Sequence, residues 1–517
     1  MDTKALRQKV LDLAIRGKLV PQDPNDEPAS VLLERIRQQK KQMVRDGKLK
    51  PKDIKNDTII FVGEDNLHYE KFADGSVKCI EDEIPFDLPE GWEWSRLGTV
   101  AEAIGDGDHQ PPPQTSSGVP FLVISNVSGG QLSFENTRFV SEEYFSQLPE
   151  TRKPRNGDLL FTVTGSYGIP VLVDTDDKFC FQRHIAIVRP CIISNRYFYV
   201  VLGSSYVKSI CDAKATGTAQ KTVGLATLRE LLIPVAPYKE QMQIYAQTQD
   251  ALSIVDSISS DKEDLLNIIE NTKAKILNLA IRGQLVPQDL NDEPASVLLE
   301  RTRSEKEELI RQGKIKRDKK ESVIFRGEDN SYYFDIPDGW ALCPLKELFN
   351  VCSAKRVRQS DWRTEGVPFY RAREIVKLSD NGFVDNDLFI SEEHYIRVKA
   401  ECGVPEPGDL MVSGVGTIGK VYVVNSDDRF YYKDASVLCF ENRTGVIDSQ
   451  FARYMLESEF MQAQMKDNSK GTTVDTITIS AAMEYVCVLP PLAEQKRIVS
   501  AIETAFVHLK SISDALT

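Results

Sequence analysis

The sequence predicts an α+β protein of mixed α/β character: two globular domains separated by a long antiparallel helical pair, with approximate two-fold symmetry inside one chain. Three observations predict it. One segment is written twice, which marks an internal repeat. A long proline-free helical stretch lies between two β-rich stretches. The two chain ends carry the apolar spacing of one further helix cut in half.

Residues 13–35, LAIRGKLVPQDPNDEPASVLLER, match residues 279–301, LAIRGQLVPQDLNDEPASVLLER, at 21 of 23 positions and an offset of 266. The echo continues in IIFVGEDN at 59–66 against VIFRGEDN at 323–330, and in LPEGW at 88–92 against IPDGW at 336–340. Beyond the tryptophans only a skeleton repeats. VPFL at 119–122 answers VPFY at 367–370, and FVSEEYF at 139–145 answers FISEEHY at 389–395. GDLLFTVTGSYG at 157–168 answers GDLMVSGVGTIG at 408–419, and TGT at 216–218 answers KGT at 470–472. IPVAPYKEQ at 233–241 answers LPPLAEQ at 489–495, now at an offset of 254. Shared scaffolding with private contents is expected when each divergent unit reads a different ligand feature.

From about 239 to 283, Leu252, Val255, Ile258, Leu265, Ile269, Ile276 and Leu279 recur at three, four or seven spacings without a proline. Gly283 stands where a C-terminal cap belongs. An unbroken helix here would reach up to ~65 Å at ~1.5 Å per residue. At the C-terminus Ile498, Ile502, Ala505, Leu509, Ile512 and Leu516 are spaced alternately four and three, a coiled-coil seam, and Leu6, Val10 and Leu13 repeat that spacing. At the two offsets, Thr517 corresponds to position 263 and Met1 to position 267, so the two ends together rebuild a second copy of the central helix. The expected boundaries are 1–20 for its N-terminal half, 21–90 for the first repeat segment (helical and basic) and 91–238 for the first divergent domain. The central helix takes 239–286, the second repeat segment 287–338, the second divergent domain 339–491, and the C-terminal half of the second helix 492–517.

The divergent domains carry short β-branched or aromatic runs between Gly, Pro, Asn and Asp: VPFLVISNV, DLLFTVTG, IPVLVDT and HIAIVRP in the first; VPFY, DLMVSGVG, KVYVVNS and SVLCFEN in the second. These read as strands with tight turns. Each domain ends in a helical patch, RYFYVVLGSSYVKSI or QFARYMLESEFMQAQM.

Composition narrows the function. With 517 residues there is length for three or four domains at ~150 residues each. Acids outnumber bases 77 to 64, for a net charge of −13, against a polybasic binder but not against a local basic face. The apolar fraction of 41% is ordinary for a soluble globular protein, and no apolar run approaches the ~20 residues of a membrane span. The start, MDTKALRQKV, is charged and helix-forming rather than a secretion leader. Nine scattered cysteines without CxxC, and five histidines far apart, read as reduced thiols in a cytoplasm and no zinc site.

No catalytic constellation emerges. GVGTIGKV at 414–421 ends in Val421 where a Walker loop needs Ser or Thr, and its counterpart at 163–170 has no lysine, so both read as hairpins. Asp46-Gly47-Lys48 becomes Gln312-Gly313-Lys314 in the second copy, which a metal-binding acid would not tolerate. GxSxG, HExxH and NPPY or NPPF motifs are missing.

Binding chemistry is better represented. Residues 35–55 hold nine Lys/Arg (Arg35, Arg37, Lys40, Lys41, Arg45, Lys48, Lys50, Lys52 and Lys55), net +7, and residues 301–320 hold nine, net +5. Either a solvated helix face, phosphate contact or docking onto an acidic partner fits. In the first divergent domain the candidates for reading base edges are Asp108, His109 and Gln110 in a rigid turn, Ser125 and Asn126, Gln182, Arg183 and His184, and Thr218, Gln220 and Lys221. In the second they are Lys355, Arg356 and Arg358, Arg371 and Arg373 where the first has Ser125 and Asn126, Lys433 beside Asp434, and Lys470, Thr472 and Thr473. Gln, Asn, Arg and Lys donate to base edges in bidentate geometry, and Asp accepts from cytosine.

Taken together, the duplicated LAIRGxLVPQDxNDEPASVLLER, the paired GDLLFT/GDLMVS and IPxxPxxEQ/LPPLAEQ, and the two variable domains resemble the specificity subunit of a type I restriction–modification system over essentially the whole chain. The resemblance implies two target-recognition domains, each reading half of a bipartite, asymmetric double-stranded DNA site, with the helices as a ruler. It implies two modification subunits docked on the helices, methylating adenine with S-adenosylmethionine. Restriction subunits that translocate and cleave DNA with ATP and magnesium would join through them. It implies no cofactor on this chain, no catalysis by it, no membrane, and a bacterial or archaeal cytoplasm. The alternative is a non-enzymatic scaffold that binds protein; salt-dependent, sequence-selective duplex binding separates the two.

Overall fold

The computed structural model describes residues 2–107, 112–218, 220–312, 336–467 and 475–516, without the side chains of Lys306 and Leu309. The chain divides into two compact units, 1–261 and 262–517.

The first unit opens with helix α1 (Thr3–Ile15), capped by the Asp2 carboxylate, which accepts from the N–H groups of Lys4 and Ala5. It ends on Gly17 at φ +62°, where the Lys18 N–H reaches back to the Leu13 carbonyl and an added Cβ would lie 2.4 Å from Pro89. Gly283 repeats this at φ +66°, with Pro337 at 2.3 Å. Only glycine fits either place, which accounts for the Arg-Gly pair in both copies. Helix α2 (Ala29–Arg45) then buries Ala29, Leu32, Ile36 and Met43.

A three-stranded antiparallel meander follows: β1 (Ile59–Val62), β2 (His68–Lys71) and β3 (Val77–Cys79). The segment 21–90, read as helical and basic, therefore holds this meander as well as helix α2. The strands hold only three or four residues, and the run IIFV has no polar alternation to betray them.

The divergent domain is closed by its own first and last strands. β4 (Glu93–Arg96) pairs antiparallel with β12 (Leu232–Val235). Between them lies an antiparallel sheet in the order β5 (Ala101–Asp106), β11 (Ile185–Pro190), β8 (Leu159–Thr162), β9 (Pro170–Leu172), beside a smaller one of β10 (Cys180–Phe181), β6 (Val119–Leu122) and β7 (Arg138–Val140). Leu160, Ile185 and Ile187 on one face and Leu159, Phe161, Ala186 and Val188 on the other join two separate cores, as alternation dictates. The expected helical patch is two helices, α3 (Asn195–Leu202) and α4 (Ser205–Lys214), split at Ser204, whose hydroxyl accepts from the Val207 N–H and caps the second.

Helix α5 (Tyr238–Ile281) is 44 residues long, about 66 Å at ~1.5 Å per residue. In the first unit its Ile244 and Leu252 pack with Leu11, Ala14 and Ile15 of α1. Arg7 pairs with Asp256 while Gln22 binds Glu240, so α1 and this part of α5 run antiparallel.

The second unit repeats the plan. Leu277, Ala280 and Ile281 of α5 share a core with Ile498 and Ile502; at the two offsets Leu277, Ala280, Ile281 and Ile498 stand where the first unit has Leu11, Ala14, Ile15 and Ile244. Helix α6 (Ala295–Arg311) follows α5. β13 (Ala341–Pro344) pairs with β22 (Val486–Leu489). The main sheet runs β14 (Asn350–Cys352), β21 (Val437–Glu441), β18 (Leu410–Ser413), β19 (Val421–Val423). The second sheet gains a strand: β15 (Trp362–Arg363), β17 (Phe389–Ile390), β16 (Val367–Tyr370), β20 (Tyr431–Tyr432). GVGTIGKV is indeed the hairpin between β18 and β19. Helices α7 (Ala372–Asn381), α8 (Glu392–Cys402), α9 (Ser449–Glu457), α10 (Glu459–Asp467) and α11 (Leu492–Leu516) complete the unit. On α11, Ile498 and Ile502 are buried and Ile512 is 50% exposed.

Candidate nucleic-acid interface

The repeated motifs turn out to be joints. Glu240, buried, accepts from Gln22 Nε2 at 3.1 Å and Trp92 Nε1 at 2.9 Å; Glu494 accepts from Gln288 Nε2 at 3.1 Å and Trp340 Nε1 at 2.9 Å. The neighbouring Gln241 accepts from the Ser194 N–H and donates to the Ala236 carbonyl; Gln495 accepts from the Asp448 N–H and donates to the Pro490 and Val446 carbonyls. PQD, GW and EQ thus clamp repeat segment, divergent domain and helix together. Burial raises the Glu240 pKa above the usual carboxylate range, opposed by its bonds to Gln22 and Trp92. The aspartates of the paired GDL motifs are also structural. Asp158 takes Arg189 at 2.8 Å through both oxygens, and Asp409 takes Arg443 at 2.5 and 3.0 Å.

A second skeleton, made of backbone, holds the divergent loops at one end of each main sheet. The Gln182 N–H donates to the Leu122 carbonyl at 3.0 Å, as Lys433 does to Tyr370 at 2.8 Å. Val163 donates to His184 and Gly414 to Ser436, both at 2.9 Å. Val223 donates to Val163 at 2.8 Å and Ile477 to Gly414 at 2.9 Å; Gly165 donates to Lys221 and Gly416 to Asp475, both at 3.1 Å. In the first unit this gathers Gln182, Arg183 and His184 with the loop of Thr218, Gln220 and Lys221 where β5 and β8 end and β11 begins. Gly107 joins them, because a Cβ there would lie 2.0 Å from the Phe181 carbonyl. Arg183, Thr218, Gln220 and Lys221 are exposed. Burial and then Arg183 hold the His184 pKa below its ordinary range, so its ring is neutral near pH 7 and both donates and accepts. Asp108, His109, Gln110, Lys470, Thr472 and Thr473 lie outside the described residues.

In the second unit, Lys355, Arg356 and Arg358 leave the end of β14 with Val357 anchored in the core, so Arg356 and Arg358 face out; Lys433 precedes β21 at the same sheet end. Lys355 is paired with Glu401.

The equivalence assigned to Arg371 and Arg373 needs correcting. The Val123 N–H donates to Asn126 Oδ1 at 3.0 Å, and the Arg371 N–H donates to Glu374 Oε2 at 2.8 Å. Asn126 therefore matches Glu374, Ser125 matches Arg373, and Arg371 matches Val123. Asn126 is 4% exposed and also donates to the Glu135 carbonyl, so its amide is spent on the turn rather than offered to a ligand. Ser125 is exposed. Arg371 and Arg373 are held by Glu374 and by Asp387, an acid the sequence reading did not connect with them.

The basic stretch is also not uniform. Lys40 is 2% exposed and donates to Asp57 and to the carbonyls of Gly98 and Thr99, a structural role. Arg35 pairs with Glu27 and Arg37 with Glu34. Lys41, Arg45, Lys48, Lys50, Lys52 and Lys55 are exposed, with no ion-pair partner among the described residues. Among the described residues no group of three or more His, Cys, Asp or Glu side chains is placed to hold a metal, and no helix is long and apolar enough to cross a membrane.

Comparison with known proteins agrees with this construction. Residues 89–270 and 337–511 match the family described as type I restriction modification DNA specificity domain, once per unit. The chain is 26% identical over 558 residues to the type I restriction enzyme EcoAI specificity subunit of Escherichia coli, covering 97% of this chain and 88% of the relative. It is 25% identical over 574 residues to the Escherichia coli EcoEI specificity subunit, covering 97% and 89%. Its fold resembles a chain solved in work on complex assembly and conformational transition of the type I R-M system, at 18% identity and a TM-score of 0.52, covering 84% of this chain and 94% of that one. The protein-scaffold alternative gains no support. Two matches to one DNA-specificity domain, carried on a duplicated scaffold, place the chain in the family of type I restriction–modification specificity subunits, non-catalytic members of their complexes.

Proposed function

We propose that each unit reads one half of a bipartite, asymmetric DNA site through the loops at the end of its main sheet. The observation that carries this is the pair of matched backbone skeletons: the same hydrogen bonds hold Gln182, His184 and Lys221 in one unit and Lys433, Ser436 and Asp475 in the other. A constant frame with unlike polar side chains is what two readers of unlike half-sites require. The reading edges are Gln182, Arg183, His184, Thr218, Gln220 and Lys221 in the first unit, with Lys433, Arg356 and Arg358 in the second. Ser125, Arg371 and Arg373 flank them.

The exposed lysines after α2 recur in the second copy's sequence, so they suit two equivalent contacts, with DNA phosphates or with two modification subunits. S-adenosylmethionine, ATP and magnesium belong to the partner subunits, and the complex works on cellular DNA in a cytoplasm. α5 carries the register between half-sites.

Exchange of residues 100–235 for another family member's segment tests the modular reading, with methylated motifs read by single-molecule sequencing. One half of the motif should change and the other persist. A change in both halves refutes it.

A further inference from the structure

Cys352 and Cys439 are directly opposed on the antiparallel strands β14 and β21. Such pairs bring Cα atoms to roughly 4.5–5.5 Å, inside the ~4.4–6.8 Å window a disulfide needs. The Cys352 sulfur lies 3.8 Å from the Tyr432 hydroxyl. Cys439 is 2% exposed, whereas Cys352 is half-buried. Both line a cavity of about 280 Å³, together with Tyr431, Tyr432, Glu441 and a third thiol, the exposed Cys402 at the end of α8.

The two strands lead straight to the reading loops. β14 runs into Lys355, Arg356 and Arg358, and the turn at Lys433 runs into β21. The first unit has Ile187 opposite Gly105 at the matching rung, so the feature belongs to one unit only.

We infer that Cys352 and Cys439 form a peroxide-sensitive dithiol that closes to a disulfide beneath the second unit's reading loops. Cys352 is the attacking group, because it is half-buried where Cys439 is 2% exposed, and its neighbour Cys439 holds its thiol below the ordinary range while Cys352 and then burial hold Cys439 above it. The Cys352 thiol attacks hydrogen peroxide; the O–O bond breaks, one water leaves, and a sulfenic acid forms. The Cys439 sulfur attacks that sulfur; the S–S bond forms, the S–O bond breaks, and the Cys439 proton leaves with the hydroxyl as a second water. Two thiols are oxidised and the peroxide is reduced by two electrons. The cross-link then restrains the two strands whose ends carry Arg356, Arg358 and Lys433. That effect on DNA rests on the assignment of these loops to base reading, whereas the cross-link does not.

The test treats the full chain, in complex with its modification subunit, with hydrogen peroxide, blocks remaining thiols, and maps peptides without reduction. A Cys352–Cys439 linkage reversed by dithiothreitol is expected. In Cys439→Ser the Cys352 sulfenic acid should instead be trapped by dimedone. Linkage through Cys402, sulfinic acid at Cys352 without linkage, or unreacted Cys352 overturns the proposal. Affinity for the cognate duplex should change by about ten-fold, the worth of one bidentate base contact, in the wild type and not in Cys439→Ser. An unchanged affinity despite complete linkage overturns the regulatory part, while exchange of residues 345–488 for another family member's segment tests the second unit's reading role separately.

Discussion

Arg373 donates from its Nη2 to both carboxylate oxygens of Asp387, at 2.8 and 2.7 Å, while its Nε donates to Glu374. Both side chains are more than half exposed, so the pair contributes little to stability, about 0–1 kcal/mol, and a stronger ligand can displace it. Arg371 shares the same carboxylate. Asp387 therefore shares with Glu374 the neutralisation of two arginines. In Asp387→Asn, non-specific duplex affinity should rise, and the slope of log affinity against log salt should steepen by roughly 0.9 for each phosphate gained. Fluorescence anisotropy of the complex with unrelated duplexes at several salt concentrations measures this. An unchanged slope would mean that neither arginine reaches DNA.

The basic stretch divides into two predictions of opposite kind. Lys40 is the sole buried lysine there, bonded to Asp57, and Lys40→Met strands that carboxylate; breaking a buried pair costs about 3–5 kcal/mol. Thermal unfolding should shift markedly downward. Lys41→Glu with Arg45→Glu and Lys48→Glu should leave unfolding nearly unchanged and weaken either DNA binding or co-purification of the modification subunit. Whichever of the two falls identifies the ligand of this face.

Glu70 and Glu83 fasten the small sheet to the domain through Arg96, with bonds of 2.7 Å to each. Burial pushes both carboxyls up, but the bonds to Arg96, with Thr58 at Glu70 and Lys78 at Glu83, prevail and hold them below the ordinary 4.5. The folded values are depressed, so this contribution is complete above about pH 4.5 and is lost as pH falls through them. The wild type should thus lose more stability than Glu70→Gln between about pH 5 and pH 3. Parallel pH dependences in urea unfolding would refute the linkage.

What the sequence disclosed, and what it hid, follows from the range of the interactions. The long helix and its terminator were legible because Leu252, Val255 and Ile269 recur at helical spacing and Gly283 stops the run, all local signals. The sheet ends were legible as a place because TGT and GDL repeat. The register inside them was not. Ser125 and Asn126 looked like a pair of readers, yet only the bond from Val123 shows that Asn126 matches buried Glu374. Lys40 stood in an unbroken charge run, and its burial depends on carbonyls near 98, far along the chain. Asp387 lies 14 residues beyond Arg373, with no periodicity to link them.

The central helix makes the sharpest mechanical prediction. α5 spans residues 238–281 without a break, and Asp261 lies near its midpoint. Four residues inserted there add about 6 Å of rise and turn the following half by about 400°, which nearly preserves its facing. At ~3.4 Å per base pair the spacer should grow by at most about two base pairs, with both half-sites unchanged. Two inserted residues would turn it by about 200° and present the second reader to the wrong side, so methylation should collapse rather than shift. Sequencing of methylated DNA distinguishes the cases. An unchanged spacer after the four-residue insertion would show that half-site separation is set by something other than this helix.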